Sequence, residues 1–243
     1  MAYRRYHRFN KNNPVGLGKP PFASFNPHTR DAPVLRNDNM IIVSIDPGIV
    51  NCGVYVNCIN TKTDAETSIY MARLEFNKED NHYVASINIL DQLEETEKYF
   101  SSAHYIVIES QMAISYDNTR MAQHLITYFM TKLKDQGNRP LIIEFNSQSK
   151  TRLLDCPKGM KKPQYKKWCR EKAISLLKDR NNPREDKFIT CLEIVKKGDD
   201  MGDAVCQMYA WMKVMRGESI FVPKPITRTP LPSSKPTIEI EED

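Results

Sequence analysis

The chain has 243 residues, of which 40% are apolar and 27% are charged, and its formal net charge is +5 at pH 7. This length and apolar content suffice for one substantial core, so we expect a single domain. No apolar run approaches the roughly 18 residues of a transmembrane helix, and the first residues lack the apolar stretch of a secretory signal. We therefore expect a soluble intracellular protein with no membrane partner.

The two ends of the chain lack the periodicity of packed elements. Residues 1–39 contain Pro, Asn, Gly and Arg, and no acid through Arg30, which is typical of a disordered basic arm that contacts phosphates or directs localisation. A mitochondrial presequence is the alternative interpretation of this arm. Residues 217–243 are rich in proline and are predicted to be a disordered tail. Residues 40–216 then form the domain.

Strand and helix patterns alternate between these ends. Short apolar or alternating runs predict strands over 41–46, 52–59 and 68–76. The pattern then predicts a helix over 84–100, a strand over 104–110, a helix over 117–135, a strand over 140–145, a lysine-rich loop, and helices over 164–178 and 200–215. This order predicts an α/β fold with a mixed five-stranded sheet, three antiparallel strands followed by parallel strands, and helices on both faces. The ribonuclease H-like fold has this order.

Carboxylates stand at the ends of two of these strands. Asp46 ends the first strand and Glu109 ends the fourth, at the edge where open α/β sheets build their sites. A single acid in this position is equally explained by solvation or by the capping of a turn. The ribonuclease H-like fold places the first and fourth strands side by side, so we expect the two carboxylates to be neighbours.

A third group of acids opens the last predicted helix. Asp200 and Asp203 are three residues apart and share one helix face, whereas Asp199 suits a capping role. Acids on one face repel each other unless a cation lies between them and the strand carboxylates. Mg²⁺ prefers such oxygen ligands, and two Mg²⁺ ions can promote phosphodiester hydrolysis. We therefore predict two Mg²⁺ ions, replaceable by Mn²⁺, and no small-molecule cofactor.

Three motifs in this order resemble the RuvC-like Holliday junction resolvases, most closely the branch found in poxviruses and fungal mitochondria. They are IDPGIVNCG at 45–53, VIESQ at 107–111 and DDMGDA at 199–204, and the resemblance covers about residues 40–215. It implies that Asp46, Glu109, Asp200 and Asp203 are the catalytic metal-binding acids, with Asp46 as the bridging ligand. The connection between the strand ending at Phe145 and the last helix is longer than in the bacterial members.

The resemblance also implies a partner and an assembly. The partner is branched DNA, a four-way junction, and the protein is a homodimer that nicks two opposed strands symmetrically. The expected site of action is the cytoplasm or a viral replication site, with the nucleus and the mitochondrion as alternatives.

Basic residues cluster after the fifth predicted strand. Such a run is often only a solvated face, but beside a phosphodiester site it predicts phosphate contacts. Lys150 matches the family's basic residue after the fifth strand, which implies a catalytic role in stabilising charge near the scissile phosphate. The predicted DNA-binding residues are Gln111, Arg120, Lys150, Arg152, Lys161, Lys162, Lys166 and Lys167, and the same run includes Lys158, Arg170, Lys172, Lys178, Arg180, Arg184 and Lys187.

Three other hypotheses account for part of the pattern. The first phosphate loop of actin-like ATPases and sugar kinases also reads like IDPGIVNCG, but those proteins need a second subdomain and a second glycine-rich loop. A non-catalytic junction-binding protein would lack one of the acids, and none is missing. Another ribonuclease H-like nuclease that cuts flaps or RNA–DNA hybrids is separated poorly from a resolvase, because loops and dimer geometry determine the substrate.

Overall fold

The computed structural model describes residues 38–75, 81–111, 115–133, 140–195 and 197–217. These residues form five strands and six α-helices, with short 3-10 turns at Glu97–Tyr99 and Pro183–Glu185. In chain order the elements are β1 (Asn39–Asp46), β2 (Asn51–Asn60), β3 (Glu66–Glu75), α1 (His82–Glu95), β4 (Tyr105–Ser110), α2 (Tyr116–Lys132), β5 (Leu141–Asn146), α3 (Ser147–Leu153), α4 (Lys162–Lys178), α5 (Asp186–Ile194) and α6 (Gly198–Met215).

The five strands form one mixed sheet in the order β3-β2-β1-β4-β5. β1, β2 and β3 pair antiparallel, whereas β4 runs parallel to both β1 and β5. Because β1 and β4 are neighbours with the same direction, their carboxyl ends meet at one edge of the sheet. The predicted mixed sheet and ribonuclease H-like strand order are confirmed.

Helices cover both faces of the sheet, and the alternation of side chains along each strand supplies two cores. One face carries Val43, Ile45, Ile106 and Ile108, which pack against α1 and α2. The other face carries residues such as Ile42 and Val107, which pack against α4, α5 and α6. Residues at even positions of β1 and odd positions of β4 therefore point toward α6.

The sequence prediction missed two helices. The lysine-rich segment after β5 was predicted to be a loop, yet it begins with α3, whose first turn is capped by the Asn146 side chain. The long connection before α6 contains α5, a helix of 9 residues that buries Phe188, Ile189 and Leu192. Both helices are shorter than the windows in which helical periodicity is reliable. The predicted helix over 84–100 ends earlier, at Glu95, and continues as a 3-10 turn.

The two predicted terminal segments fall almost wholly outside the described residues. Of the arm over 1–39, only residues 38 and 39 are described, and Asn39 begins β1; of the tail over 217–243, only residue 217 is described. Within the described ranges, no helix is both long and apolar enough to cross a membrane.

Gly53 allows the start of α6 to lie directly on β2. It pairs with Asp46 across the β1–β2 ladder. A Cβ at Gly53 would lie 2.1 Å from the backbone oxygen of Asp200, a distance that no side chain can occupy. Glycine at this position therefore sets how closely the acid-bearing end of α6 approaches the acid-bearing end of β1.

Arg180, at the end of α4, is one of the basic residues in the run predicted to contact phosphate, but its guanidinium is buried. It donates to Glu66 at 2.9 Å and to Glu185 at 3.1 Å, and the side chains of Arg180, Glu66 and Glu185 are 6%, 11% and 1% exposed. Glu185 in turn accepts hydrogen bonds from the backbone and the hydroxyl of Ser68 in β3. Arg180 therefore ties α4 to the edge strand and is not available to DNA.

We predict that Arg180→Met lowers the free energy of unfolding by about 3–5 kcal/mol, because it leaves the buried Glu185 without its cation and leaves Glu66 only the longer contact with Arg216 at 3.5 Å. Lys178→Met is the matched control, since Lys178 forms only an exposed pair with Glu193 at 3.6 Å. The control should cost less than about 1 kcal/mol in urea unfolding. Equal losses in the two variants would contradict the structural role of Arg180.

Candidate functional site

Three acids converge at the carboxyl ends of β1 and β4. Asp46 ends β1, and Glu109 lies one residue before the end of β4. Ile45 is paired with Ile108 across the parallel ladder, so the acids that follow them are neighbours. Both acids occupy the strand positions that point toward α6, which contributes Asp203 from its second turn. The expectation that Asp46 and Glu109 lie side by side is met.

The ammonium group of Lys150 lies between these acids. Lys150 belongs to α3, immediately after β5, and the residue is only 1% exposed. Its Nζ donates to Oε2 of Glu109 at 2.8 Å and to Oδ1 of Asp203 at 2.6 Å. The sequence placed Lys150 near a scissile phosphate, whereas in the structure its charge is directed inward to the carboxylates.

The electrostatics of the cluster follow from this crowding. Burial raises the pKa of Asp46 well above its usual value, and the charges of Glu109 and Asp203 raise it further. Burial would lower the pKa of Lys150, but the surrounding carboxylates, Asp203 foremost, raise it well above the usual lysine value. The lysine is therefore charged, and Asp46 holds its proton more tightly than an isolated aspartate does.

One oxygen of Asp203 accepts hydrogen bonds from three side chains. Besides Lys150, the hydroxyl of Tyr165 and the thiol of Cys169 each donate to Oδ1 at 3.0 Å. Burial opposes the charged form, but Lys150 and the bonds from Cys169 and Tyr165 together lower the pKa of Asp203. Asp203 therefore ionises more readily than an isolated aspartate, and its three donors hold the carboxylate in one orientation.

Tyr165 and Cys169 were not predicted from the sequence. They lie four residues apart and so share one face of α4. The many lysines of α4 indicated an exposed DNA-binding face and gave no information about the opposite face of the helix. The available signal was the spacing of Tyr165, Cys169 and the buried Ala173, which marks the inward face of α4.

Asp200 and Asp199 form a second acidic pair one turn earlier on α6. The prediction that Asp199 caps this helix is wrong, because α6 begins at Gly198 and its N-cap is Lys197 in the left-handed conformation. Asp199 lies in the first turn and pairs with Lys166 of α4, which also contacts Asp200 at 3.4 Å.

Asp200 lies close to the three-acid cluster but retains an unpaired oxygen. Burial raises the pKa of Asp200, and the charges of Asp199 and Asp203 add to this increase against the opposing effect of Lys166. Its Oδ2 is buried and has no hydrogen-bond donor among the described residues. A buried carboxylate oxygen without a donor is unfavourable unless a cation or water satisfies it.

The chemistry of this site suits a hard divalent cation. All four candidate ligands, Asp46, Glu109, Asp200 and Asp203, supply carboxylate oxygen, and the unpaired Oδ2 of Asp200 lacks a positive partner. Within the described ranges, however, no three acidic, histidine or cysteine side chains are grouped closely enough to hold a metal ion. Lys150 instead provides the positive charge between Glu109 and Asp203.

Two predicted DNA contacts lie just past β4. The side chain of Gln111 is partly buried, and its amide donates to the backbone oxygen of Glu109 at 3.4 Å. The guanidinium of Arg120, on α2, lies over the rings of Tyr83 and Tyr116 at 5.3 and 5.4 Å from their centroids. Arg120 therefore lies within an aromatic cluster whose two tyrosines are largely exposed.

The remaining predicted contacts lie on α3 and α4. Arg152, Lys161, Lys162 and Lys167 are exposed, and Lys167 forms only a loose pair with Glu171 at 3.7 Å. Lys166 differs, because its ammonium is directed toward Asp199 and Asp200. The amino-terminal half of α4 therefore presents lysines to solvent on one side and Tyr165, Lys166 and Cys169 to the acids on the other.

No known protein-family model matches the sequence. The chain is 30% identical over 142 residues to uncharacterized protein 170L of Invertebrate iridescent virus 6, which covers 49% of this chain and 55% of that protein. It is 25% identical over 128 residues to uncharacterized protein 97L of Invertebrate iridescent virus 3, which covers 53% of this chain and 57% of that protein. The chain thus spans about half the length of the viral relatives it matches.

Solved structures of similar fold include Holliday junction resolvases. The fowlpox virus Holliday junction resolvase aligns with a TM-score of 0.50 at 16% identity, over 72% of this chain and 99% of that chain. RuvC of Thermus thermophilus aligns with a TM-score of 0.49 at 12% identity, over 73% of this chain and 95% of that chain. The alignment with the fowlpox virus resolvase agrees with the ribonuclease H-like fold that the sequence predicted, and at this identity it concerns the fold alone.

We predict that Asp46→Asn stabilises the metal-free protein at pH 8 by about 0.5–2 kcal/mol, because it removes one of three crowded negative charges. The raised pKa of Asp46 means that ionisation costs the folded state more than the unfolded state. Wild-type stability should therefore fall as pH rises above the usual aspartate range toward this raised pKa. Urea unfolding in EDTA at pH 5 and pH 8 measures the effect.

Asp91→Asn is the matched control for this prediction, since Asp91 lies on an exposed position of α1. It should change stability by less than about 0.5 kcal/mol at either pH. If Asp46→Asn leaves stability at pH 8 unchanged or lowers it, the acids do not repel each other as the geometry indicates.

Proposed function

We propose that this protein is a divalent-metal-dependent DNA endonuclease that resolves four-way junctions. The observation that carries the proposal is the convergence of Asp46, Glu109 and Asp203 around the buried ammonium of Lys150, with Asp200 one turn away on α6. A concentration of acids that is partly neutralised by one lysine is costly to maintain for stability alone. A function that needs carboxylate oxygens at this edge of the sheet accounts for the cluster.

Asp46, Glu109, Asp200 and Asp203 are the residues that would hold two Mg²⁺ ions, or Mn²⁺ in their place. Bound in this way, two such ions supply an activated water and stabilise the leaving oxygen in phosphodiester hydrolysis. Three donors fix Asp203 through Oδ1, so we assign its Oδ2 as the oxygen that would bind a cation. Lys150 holds Glu109 and Asp203 together, and its proposed catalytic role is to stabilise charge that develops near the scissile phosphate.

The proposed substrate is a four-way DNA junction, cut by a homodimer with two symmetric nicks. The proposal draws on the three motifs and on the shared fold with the fowlpox virus Holliday junction resolvase. A twofold dimer presents two equivalent sites, which matches a substrate with two equivalent strands. We place its action inside the cell, in the cytoplasm or at a viral replication site, or in the nucleus or mitochondrion.

The basic surface on α3 and α4 is proposed to bind the DNA backbone. Arg152, Lys161, Lys162 and Lys167 are exposed on or next to the helices that carry Lys150 and Tyr165. Lys166, on the same turn of α4, lies close to Asp199 and Asp200, so a strand held by the neighbouring lysines would be guided toward the site. Gln111 and Arg120 are proposed as further contacts at the carboxyl end of β4.

We predict that the purified protein makes paired symmetric nicks in a synthetic four-way junction only when Mg²⁺ is added. The same assay should include a flap and an RNA–DNA hybrid, because ribonuclease H-like nucleases of other specificity carry the same acids. Asp46→Asn, Asp200→Asn and Asp203→Asn should each reduce cleavage by at least about a hundredfold while junction binding persists. Gel separation of both labelled strand pairs measures the nicks.

Asp199→Asn is the control for these variants, since Asp199 is held by Lys166 and is not assigned to the metal. It should cut the junction at a rate within a few-fold of the wild-type rate. Cleavage of only the flap or the hybrid would show that the proposed substrate is wrong. Junction binding without cleavage by both the wild type and Asp199→Asn would indicate a non-catalytic junction-binding protein. Undiminished cutting by Asp46→Asn would overturn the mechanism.

We predict that replacing Lys161, Lys162 and Lys167 together by Gln weakens junction binding and flattens its salt dependence. The slope of log affinity against log salt should fall by about one for each phosphate contact that is lost. The control replaces Lys62 and Lys98 by Gln, two exposed lysines beyond the opposite end of the sheet. An equal change in slope for both variants would show that the protein binds through its overall charge and not through α4.

A further inference from the structure

Gln207 is a fully buried polar residue inside the apolar core of α6. It lies four residues after Asp203 and therefore on the same helix face. Its residue exposure is 0%, and its neighbours on the helix are Cys206 and Met208, both also fully buried. The side-chain nitrogen donates to Oγ of Ser44 at 3.1 Å, to the backbone oxygen of Ile45 at 3.0 Å and to the backbone oxygen of Val107 at 2.9 Å.

The acceptors of this amide lie on the two strands that carry the other acids. Ile45 directly precedes Asp46, and Val107 is two residues before Glu109 on the same face of β4. A single nitrogen atom thus contacts β1 and β4, while its own helix carries Asp203. The Gln207 amide therefore fixes the position of α6 on both strands, at points one residue before Asp46 and two residues before Glu109.

Stability alone gives a poor account of this side chain. The amide has two hydrogens for three acceptors, and its Oε1 is buried with no donor among the described residues. A buried polar atom without a partner costs more than an apolar group of the same size. Apolar residues such as Val205, Met208 and Trp211 surround this position on α6, so an apolar residue at 207 would avoid the cost of the unpaired Oε1.

We infer that Gln207 is a positioning residue that sets the separation of Asp203 from Asp46 and Glu109 and thereby the metal affinity of the site. This inference rests on the proposed metal centre and extends it to a residue that touches neither metal nor DNA. Displacement of an acid by a fraction of an ångström weakens metal binding, because the oxygens must converge on one ion. An apolar residue of the same volume would keep the core filled and release this constraint.

Asn57 supplies a matched control in the same core. It is also fully buried, and its amide contacts the sulfur of Met208, the residue next to Gln207 on α6, at 3.8 Å. It is paired with Ile42, four residues before Asp46. Asn57→Leu therefore removes a buried amide that touches α6 but lies away from the acids.

The experiment compares Gln207→Met with Asn57→Leu and the wild type. Calorimetry and electron paramagnetic resonance measure Mn²⁺ binding directly, thermal melts in EDTA measure stability, and cleavage against Mg²⁺ concentration gives a third measurement. Gln207→Met should weaken Mn²⁺ binding by about tenfold or more and raise the Mg²⁺ requirement similarly. Asn57→Leu should leave Mn²⁺ affinity within about twofold of wild type, although its melting temperature should change at least as much as that of Gln207→Met.

If Gln207→Met does not fold, Gln207→Asn replaces it, since this variant keeps a buried amide that is one methylene too short to reach both carbonyls. Wild-type Mn²⁺ affinity in the folded variant would overturn the inference. The inference would also be overturned if Gln207→Met and Asn57→Leu both weakened Mn²⁺ binding in proportion to the fall in their melting temperatures.

The same measurements separate this inference from the proposed function. If the wild type and Asp203→Asn bind Mn²⁺ equally poorly, the metal centre itself is wrong and the role of Gln207 fails with it. If wild type binds Mn²⁺ and Gln207→Met does not, the positioning role stands even when no junction is cut, and only the proposed substrate fails.

Discussion

The buried contact of one ammonium with two carboxylates is the interaction around which this structure is organised. Lys150 donates to Glu109 and Asp203, and Asp46 completes the acidic group from the neighbouring strand. Without the lysine, three acids in a partly buried volume would strongly favour separation of the elements that carry them. With it, β1, β4 and α6 come together at one edge of the sheet, and the donors on α4 have a fixed carboxylate to bind.

The two cores explain how so polar a site is supported. One face of the sheet is closed by α1 and α2, whose described residues bury a large apolar cluster against the strands. The other face is closed by α4, α5 and α6, and it contains both the acids and the Arg180 cluster at the β3 edge. The two polar clusters lie at different parts of this face, because the acids are at the carboxyl ends of β1 and β4 whereas Arg180 contacts β3 at the edge of the sheet. Stability and chemistry are therefore assigned largely to different parts of the molecule.

The strands and the acids that end them could be predicted from period-two alternation and turn residues, and the sheet arrangement followed from the order of elements, which is that of the ribonuclease H-like fold. Asp46 and Glu109 follow from two apolar runs that each end in an acid. Tyr165, Cys169 and Gln207 could not be predicted as site residues, because their role depends on how α4 and α6 cross the sheet. The inward direction of Lys150 and the burial of Arg180 were missed for the same reason. A sequence shows that a residue is charged but not which way its side chain points.

Gly53 has a consequence for how variation in this chain should be interpreted. Its contact with Asp200 is between backbone atoms, so no exchange of a neighbouring side chain can make room for a larger residue. Tolerance to mutation at this position is therefore set by the path of the main chain. In a screen of random variants, changes at Gly53 would be grouped with changes of the acids, although glycine has no functional group. Sensitivity to mutation alone would thus mark it, incorrectly, as a residue that takes part in the chemistry.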